Sequence, residues 1–394
     1  MNTLQSLFVL LVVAYMGGFL MGGRGLRGRG LPSGSEWLVL GFVTGPAALG
    51  LVGGAEVEAF APLALLATGW IALLVGLTFG VDGERRVGAG AIGLGVTVGL
   101  LSFAGVAGAA WLVLERIPSA GALFPDRSQR LTLAICLGAS LADTSRHVAR
   151  WAAERLEARG PVLDRVSGIT RSDDVVPIAV LSALVSLDTS RDVPAFPLGG
   201  LVLGGLLGLA LAALLGRTLR TATFWSLLFG FSLLSTGVAT RIDLSVLATG
   251  FALGLLLAIA SPLRARAREL AGGVEGAIIL PALFLAGSRT TTPSGPTLWI
   301  LGAALLARIA SGLVAAALVA AVDSRARRGG PWLALAFLST GPLGIAVALS
   351  VDLRFPGPVG DLVLATSVAA AVVGEFLGPP ALRRALRRAG EVAP

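Results

Sequence analysis

Residues 171–177 read RSDDVVP, and two adjacent acids, Asp173 and Asp174, open an apolar run that continues IAVLSALVSL. Carboxylates so placed can hold a hard cation, carry a proton, or act as an acid–base pair in hydrolysis. An ionisable side chain within hydrocarbon is costly, so it normally faces a cavity or a partner. Four other residues share that situation. Asp143 stands in GASLADTSRH, Glu275 near the start of one apolar run, Glu375 near the end of another, and Arg308 between ILGAALLA and IASGLVAAALVAAV. Glu275 and Glu375 read as interfacial, and Asp143 as either a helix cap or part of a site. Arg308 has too much apolar sequence on both sides to snorkel, so a buried acidic partner is expected for it. The chain has one histidine, His147, and one cysteine, Cys136. An internal disulfide and a cysteine metal site are thereby excluded. His147 reads as a solvated residue at a span end; the alternative is that it tunes a pH response, as Glu275 also could.

Two polar interruptions give these side chains somewhere to meet. One is ADTS, containing Asp143 and Thr144; the other is STGPLG, with Ser339, Thr340, Gly341 and Pro342. Proline removes a backbone donor and breaks a helix. Broken helices at membrane depth are tolerated where they line a cavity or are buried in protein. Two of them, in corresponding positions of two halves, point to inverted repeats with a site at the crossing. An acidic span follows the first break and a basic span precedes the second, so unlike charges would meet at the centre.

The surrounding chain reads as an all-α polytopic membrane protein. It is 55% hydrophobic with mean hydropathy +0.85 and only 14% charged, against about 25% charged for soluble domains. About thirteen spans are expected, near 5–22, 36–52, 61–80, 92–115, 132–149, 170–189, 197–216, 223–240, 243–261, 273–288, 296–321, 332–350 and 358–379. Each is near the length that crosses about 30 Å of hydrocarbon. The N-terminal MNTLQSLFVLLVVAYMGGFL is expected to be a retained first helix. All 31 basic residues are arginine, and with the N-terminus outside, 23 fall in inside segments and seven outside. Basic residues concentrate in cytoplasmic loops, so the C-terminus is expected in the cytoplasm. The net charge of +8 is accounted for by those loops and implies no nucleic-acid partner. Six of seven tryptophans lie near span ends, Trp70 being the exception. The stretch around 150–169 reads as a basic amphipathic helix on the cytoplasmic membrane surface.

With these features in hand, nearly the whole chain resembles the monovalent cation:proton antiporter superfamily, particularly its second family of Kef and NapA types. The likeness is carried by GLPSGSEWLVLGFVTGPAALGL, LALLATGWIALLVGLTFGVD, ASLADTSRHVARWAAERLEARG, RSDDVVPIAVLSAL, LPALFLAGSRT, LLARIASGLV, LSTGPLGIAVALS and LGPPALRRALRR. Their order and spacing together are specific. The resemblance implies an NhaA/NapA-like fold in one transporter unit, 1–394. Core helices, about 92–190 and 296–380, would move against a dimerisation scaffold, about 1–80 and 223–288, with a linker helix near 197–216. It implies a homodimer in the inner (plasma) membrane of a prokaryote. It makes Asp174 the ion- and proton-binding carboxylate, and Asp173 the acid coupled to the basic residue at Arg308. Asp143 and Thr144 match the first crossing. No cofactor is implied, and the monovalent cation, Na⁺ or K⁺, would be held by Asp174 and Asp173.

Two departures matter. Relatives often carry a Gly-Glu pair in the second broken helix, where this chain has Gly341-Pro342. The Kef branch adds a nucleotide-binding domain, and control through one is not expected here. Arginine stays protonated at physiological pH, so proton carriage by Arg308 itself is disfavoured. The functional expectation is cation/proton exchange by alternating access at the paired aspartates. Alternatives are an organic-anion symporter of the same fold, a degenerate channel or sensor, and an intramembrane aspartyl protease. The YD and GxGD motifs of that protease are absent around Asp143 and Asp174.

Overall fold

The computed structural model describes residues 32–82, 85–187, 198–215, 221–324 and 326–392. The first expected span, 5–22, lies outside the described residues, as do Arg24, Arg27 and Arg29, the segment containing Arg191, and Arg217, Arg220 and Arg325. The described chain is helical apart from a two-residue antiparallel ribbon, β1 (Val81–Asp82) with β2 (Arg85–Arg86).

In chain order, the helices begin with α1 (Glu36–Thr44), α2 (Gly54–Ala59) and α3 (Ala61–Thr78). The long α4 (Ala89–Arg116) and a single turn, α5 (Pro118–Gly121), lead into α6 (Arg127–Ser140), α7 (Arg146–Arg155), α8 (Pro161–Ile169) and α9 (Val175–Leu187). Next come α10 (Gly199–Leu215), α11 (Thr221–Arg241), α12 (Val246–Ala260), α13 (Arg264–Gly273) and α14 (Glu275–Arg289). The last are α15 (Thr297–Val322), α16 (Trp332–Ala336), α17 (Pro342–Arg354) and α18 (Pro358–Ala389). Helices α3, α4, α11, α15 and α18 are each long and apolar enough to cross a membrane, and α13 with α14, bent by 47° at their break, meets the same length and hydropathy as a pair.

Several expected boundaries are redrawn. The span placed at 36–52 is helical only to Thr44, where Gly45 turns extended ahead of Pro46; a residue preceding proline is disfavoured in the α region. The spans at 132–149 and 332–350 each resolve into two halves, α6 with α7 and α16 with α17. The surface helix expected around 150–169 is corrected. Val148, Ala149 and Ala152 of α7 and Val162, Leu163, Val166 and Ile169 of α8 are buried. That apolar spacing packs each helix into the bundle along one face, leaving only Leu156–Gly160 between them.

The helices associate as two groups. In the first, α3 packs on α12, α12 on α10, and α1 on α14, with α11 and α13 alongside. Trp70 is fully buried there, edge-on to Trp225 at 5.5 Å, which explains its mid-span position. In the second group α4 packs on α15 and α6, and α18 on α16 and α17. The seam between the groups brings α3 and α14 against α17, α9 against α12, and α1 against α18.

Candidate functional site

The site begins with the backbone groups that the two breaks leave unpaired. A helix end strands its last carbonyls and first amides, and buried ones must find partners. Between α6 and α7, Ser145 donates its N–H to the Ser339 carbonyl at 2.8 Å. Between α16 and α17, Gly341 donates its N–H to Asp143 Oδ2 at 2.9 Å. Each break therefore supplies what the other lacks. Asp143 sits against the start of α17, where the helix dipole favours an anion. Pro342 occupies the first turn of that helix, where its missing N–H costs nothing. The sequence keeps this approach open with glycine: a methyl added at Gly344 would stand 2.6 Å from Asp143 Oδ1.

The paired acids arrive from a third element. Asp173 and Asp174 lie just ahead of α9, as the apolar run led one to expect, but a further helix, α8, precedes them. The chain leaves it through a tight turn in which Ser172 and Asp173 donate their N–H groups to the Ile169 carbonyl at 2.9 and 3.0 Å. Pro161 starts α8, and both oxygens of Glu391 accept from Val162 and Leu163 at 2.7 and 2.9 Å, capping it. The acids thus lie in a turn with a helix on either side.

Their surroundings differ. Asp173 is buried beneath α4, where a methyl added at Gly99 would lie 3.1 Å from its Cβ. The Thr144 hydroxyl lies beside Asp173, whose oxygens make no well-formed hydrogen bond among the described residues. Asp174 lines a small cavity of about 10 Å³, walled by Ile71 and Val75 of α3, Asp143, Thr144, Arg146 and His147 of the first break, and Gly341–Leu343 of the second. The cavity lies on the seam, with room for about one water.

Arg308 reaches the same point from the middle of α15, but its expected partner is corrected. Its Nη2 donates to the Asp143 carbonyl at 2.6 Å and to Thr144 Oγ1 at 3.4 Å. Its Nε and Nη1 have no hydrogen bond among the described residues. The break in α6–α7 exposes a carbonyl that takes the place of a carboxylate, while Asp143 and Asp173 act on the guanidinium through space. Of the other predicted residues, Ser339 Oγ donates to the Gly374 carbonyl at 2.8 Å, and the Thr340 hydroxyl is buried without a partner among the described residues.

The three residues read as interfacial or solvated are largely enclosed and have partners. Glu275 accepts from Arg146 at 3.2 Å and Arg150 at 3.4 Å and lies 3.1 Å from His147 Nε2, with its side chain 10% exposed. Glu375 is 1% exposed and bonded to Ser33. At the other end of α14, Arg289 pairs with Asp352 at 2.5 Å and with Glu58 at 2.6 Å, and Arg354 with Asp243 at 2.8 Å. Ser33, Glu391 and these outer pairs gave no signal in the sequence, because each partner is remote along the chain.

Comparison with known proteins places this arrangement. No family model matches the chain, and neither does any curated relative. A solved structure of the sodium proton antiporter MjNhaP1 from Methanocaldococcus jannaschii at pH 8 matches with a TM-score of 0.72 at 16% identity, over 99% of this chain and 100% of that one. An electron-microscopy map of the same antiporter matches with a TM-score of 0.70 at 16% identity, over the full length of both. The chain has a sodium/proton-antiporter fold. It is an integral membrane protein, with helices long and apolar enough to cross a bilayer.

Proposed function

We propose that the protein is a secondary active antiporter, exchanging a monovalent cation for protons by alternating access, with Asp174 as the carboxylate that holds cation or proton. One observation carries the reading. Asp174 lines a cavity at the crossing of both broken helices, on the seam between the two helix groups, with Asp143 and Thr144 beside it. A carboxylate in that position binds a hard cation or a proton in competition, and that competition is sufficient for exchange. Asp173 and Asp174 share a low-dielectric site, so the two cannot both ionise cheaply and titrate as one unit. Arg308 keeps its charge; it fixes the first break and offsets the acids without carrying the proton.

The group built on α4, α6–α9 and α15–α18 would be the moving core, the group containing α1, α3 and α11–α14 the scaffold of a homodimer, and α10, packed on α12, the linker. The arginine distribution supports a cytoplasmic C-terminus, and the antiporter resemblance suggests the plasma membrane of a prokaryote. Sodium is favoured over potassium as the cation, because the matched structures are of a sodium proton antiporter. The test is a pH-probe assay in proteoliposomes. Sodium added outside should collapse an imposed ΔpH, and Asp174→Asn should lower the rate to that of protein-free vesicles. Equal rates for the parent and Asp174→Asn would sink the proposal.

A further inference from the structure

Beyond the first break lies a cavity that the chemistry assigned above does not use. It opens between α7 and α8 with a volume of about 410 Å³, within the range of about 300–1,000 Å³ that small-molecule sites occupy. α7 lines it with Arg146, Arg150 and Ala153, and α8 with Asp164 and Ser167. Residues three and four apart share one helix face, so each helix turns a single face to the space. Arg159, in the connection between the helices, and Arg171, just ahead of the paired acids, extend the wall. The enclosure is braced by Glu391, whose carboxylate caps α8 and whose carbonyl accepts the Arg159 N–H at 3.2 Å.

The wall is cationic. Arg146, Arg150, Arg159 and Arg171 face the cavity, against two acids, Glu154 and Asp164. The carboxylate that holds Arg146 and Arg150 is Glu275 of α14, which both arginines share with His147. A guanidinium has five N–H donors. Arg146 uses one on Thr78 Oγ1 at 3.1 Å and one on Glu275 at 3.2 Å, and Arg150 one on Glu275 at 3.4 Å. Both therefore keep most of their donors. The Arg171 guanidinium donates to the Val81 carbonyl at 3.0 Å, an acceptor without net charge, and Arg159 is exposed.

A cleft lined mainly by one sign of charge concentrates the opposite ion. A carboxylate fills one guanidinium fork, whereas a phosphate presents several oxygens at once and pairs bidentately with arginine. Basic pockets between membrane helices take phosphate headgroups by the same chemistry, and the Ser167 hydroxyl adds a neutral donor. We propose that the cavity between α7 and α8 is a binding site for a phosphate group, carried by a free anion or by an anionic lipid. Arg146 lines both this cavity and the small one at Asp174. A phosphate held here would offset the Arg146 charge that a cation meets on approaching Asp174 from this side. Binding itself depends on the cavity and its charges, and not on the antiporter reading.

The test uses the full-length protein in nanodiscs. In discs of phosphatidylcholine alone, inorganic phosphate is titrated calorimetrically at constant ionic strength, with chloride as the balancing anion. In discs that mix phosphatidylcholine with phosphatidylglycerol, native mass spectrometry reads which lipid stays on the protein. Ala153 is exposed on the wall, so Ala153→Glu adds an acid there and should weaken binding about tenfold. Ala153→Gln, of equal size and neutral, should bind as the parent does, which separates charge from a folding defect. Arg159→Gln should also weaken binding. Saturable phosphate binding that Ala153→Glu weakens assigns the site to a free anion. Selective retention of phosphatidylglycerol, lost in the same variant, assigns it to a lipid headgroup. Absence of both in the parent would overturn the proposal. So would binding that Ala153→Glu leaves unaltered, or that Ala153→Gln removes equally.

Discussion

Three acids near one crossing have three different surroundings, and the differences assign what each substitution should do. Asp143 is fixed by the Gly341 amide, Asp173 is packed under α4 beside the Thr144 hydroxyl, and Asp174 faces the cavity. Asp143→Ala would strand a buried amide of the second break, at a cost of about 1–3 kcal/mol. Asp143→Asn keeps a carbonyl acceptor for that amide. Thermal unfolding in detergent should therefore fall clearly for the alanine variant and much less for the asparagine one. The acids and Arg308 stood out in the sequence because charge inside an apolar run is conspicuous. The partner of Arg308 was not legible, because the acceptor is a backbone carbonyl that only the folded break exposes. Ser33 was less legible still: its bond to Glu375 spans 342 residues, and a serine before a helix carries no mark of a distant carboxylate.

At the scale of the element, the two broken helices were readable from ADTS and STGPLG, since polar residues with Gly-Pro interrupt otherwise unbroken apolar runs. For α8 a helix was expected but on the membrane surface, because RGPVLDRVSGITRS carries enough charge to pass for an exposed stretch. Its signals were present: Pro161 at the first position and apolar residues at 162, 163, 166 and 169. What the sequence did not display was the cap, Glu391, whose carboxylate receives two amides of the first turn. A side-chain cap is worth about 0.5–2 kcal/mol. Glu391→Ala should fray the start of α8, seen as faster amide hydrogen exchange at Val162 and Leu163 with little change in α4. The effect should reach transport only weakly, as α8 is also held by its buried face.

For the whole molecule, α14 is the element that touches both ends of the seam. Its first residue, Glu275, gathers Arg146, His147 and Arg150 from α7, and its last, Arg289, holds Asp352 of α17. Fifteen residues of helix put these contacts about 21 Å apart along the axis. If the groups rock against each other, the two clusters cannot both stay closed. Glu275→Gln and Arg289→Gln should then bias the equilibrium in opposite senses. Ile71→Cys, on the cavity wall, reads this out through labelling by a membrane-impermeant thiol reagent from each side of oriented vesicles. The native Cys136 is fully buried and does not compete. Hydropathy and arginine spacing made the membrane class and most helices legible. The pairing of helices into groups was not, because it depends on which apolar faces match across long separations.

The size of the cavity beside Asp174 bears on which ions can be cargo. At about 10 Å³ it admits roughly one water-sized body, so a cation bound there, as proposed above, would have to shed most of its hydration shell. The protein has to replace the lost water oxygens with its own, as in filters where protein oxygens stand in for hydration. The carboxylate of Asp174 and the groups of Thr144 and Asp143 lie around that space. Recognition then becomes a matter of dehydration and radius, with long-range charge playing the lesser part. Under matched gradients, exchange should run faster with sodium than with the larger potassium ion, and bulky organic cations should not exchange at all. Widening the wall with Val75→Ala should narrow the gap between sodium and potassium rates, while leaving the requirement for Asp174 intact.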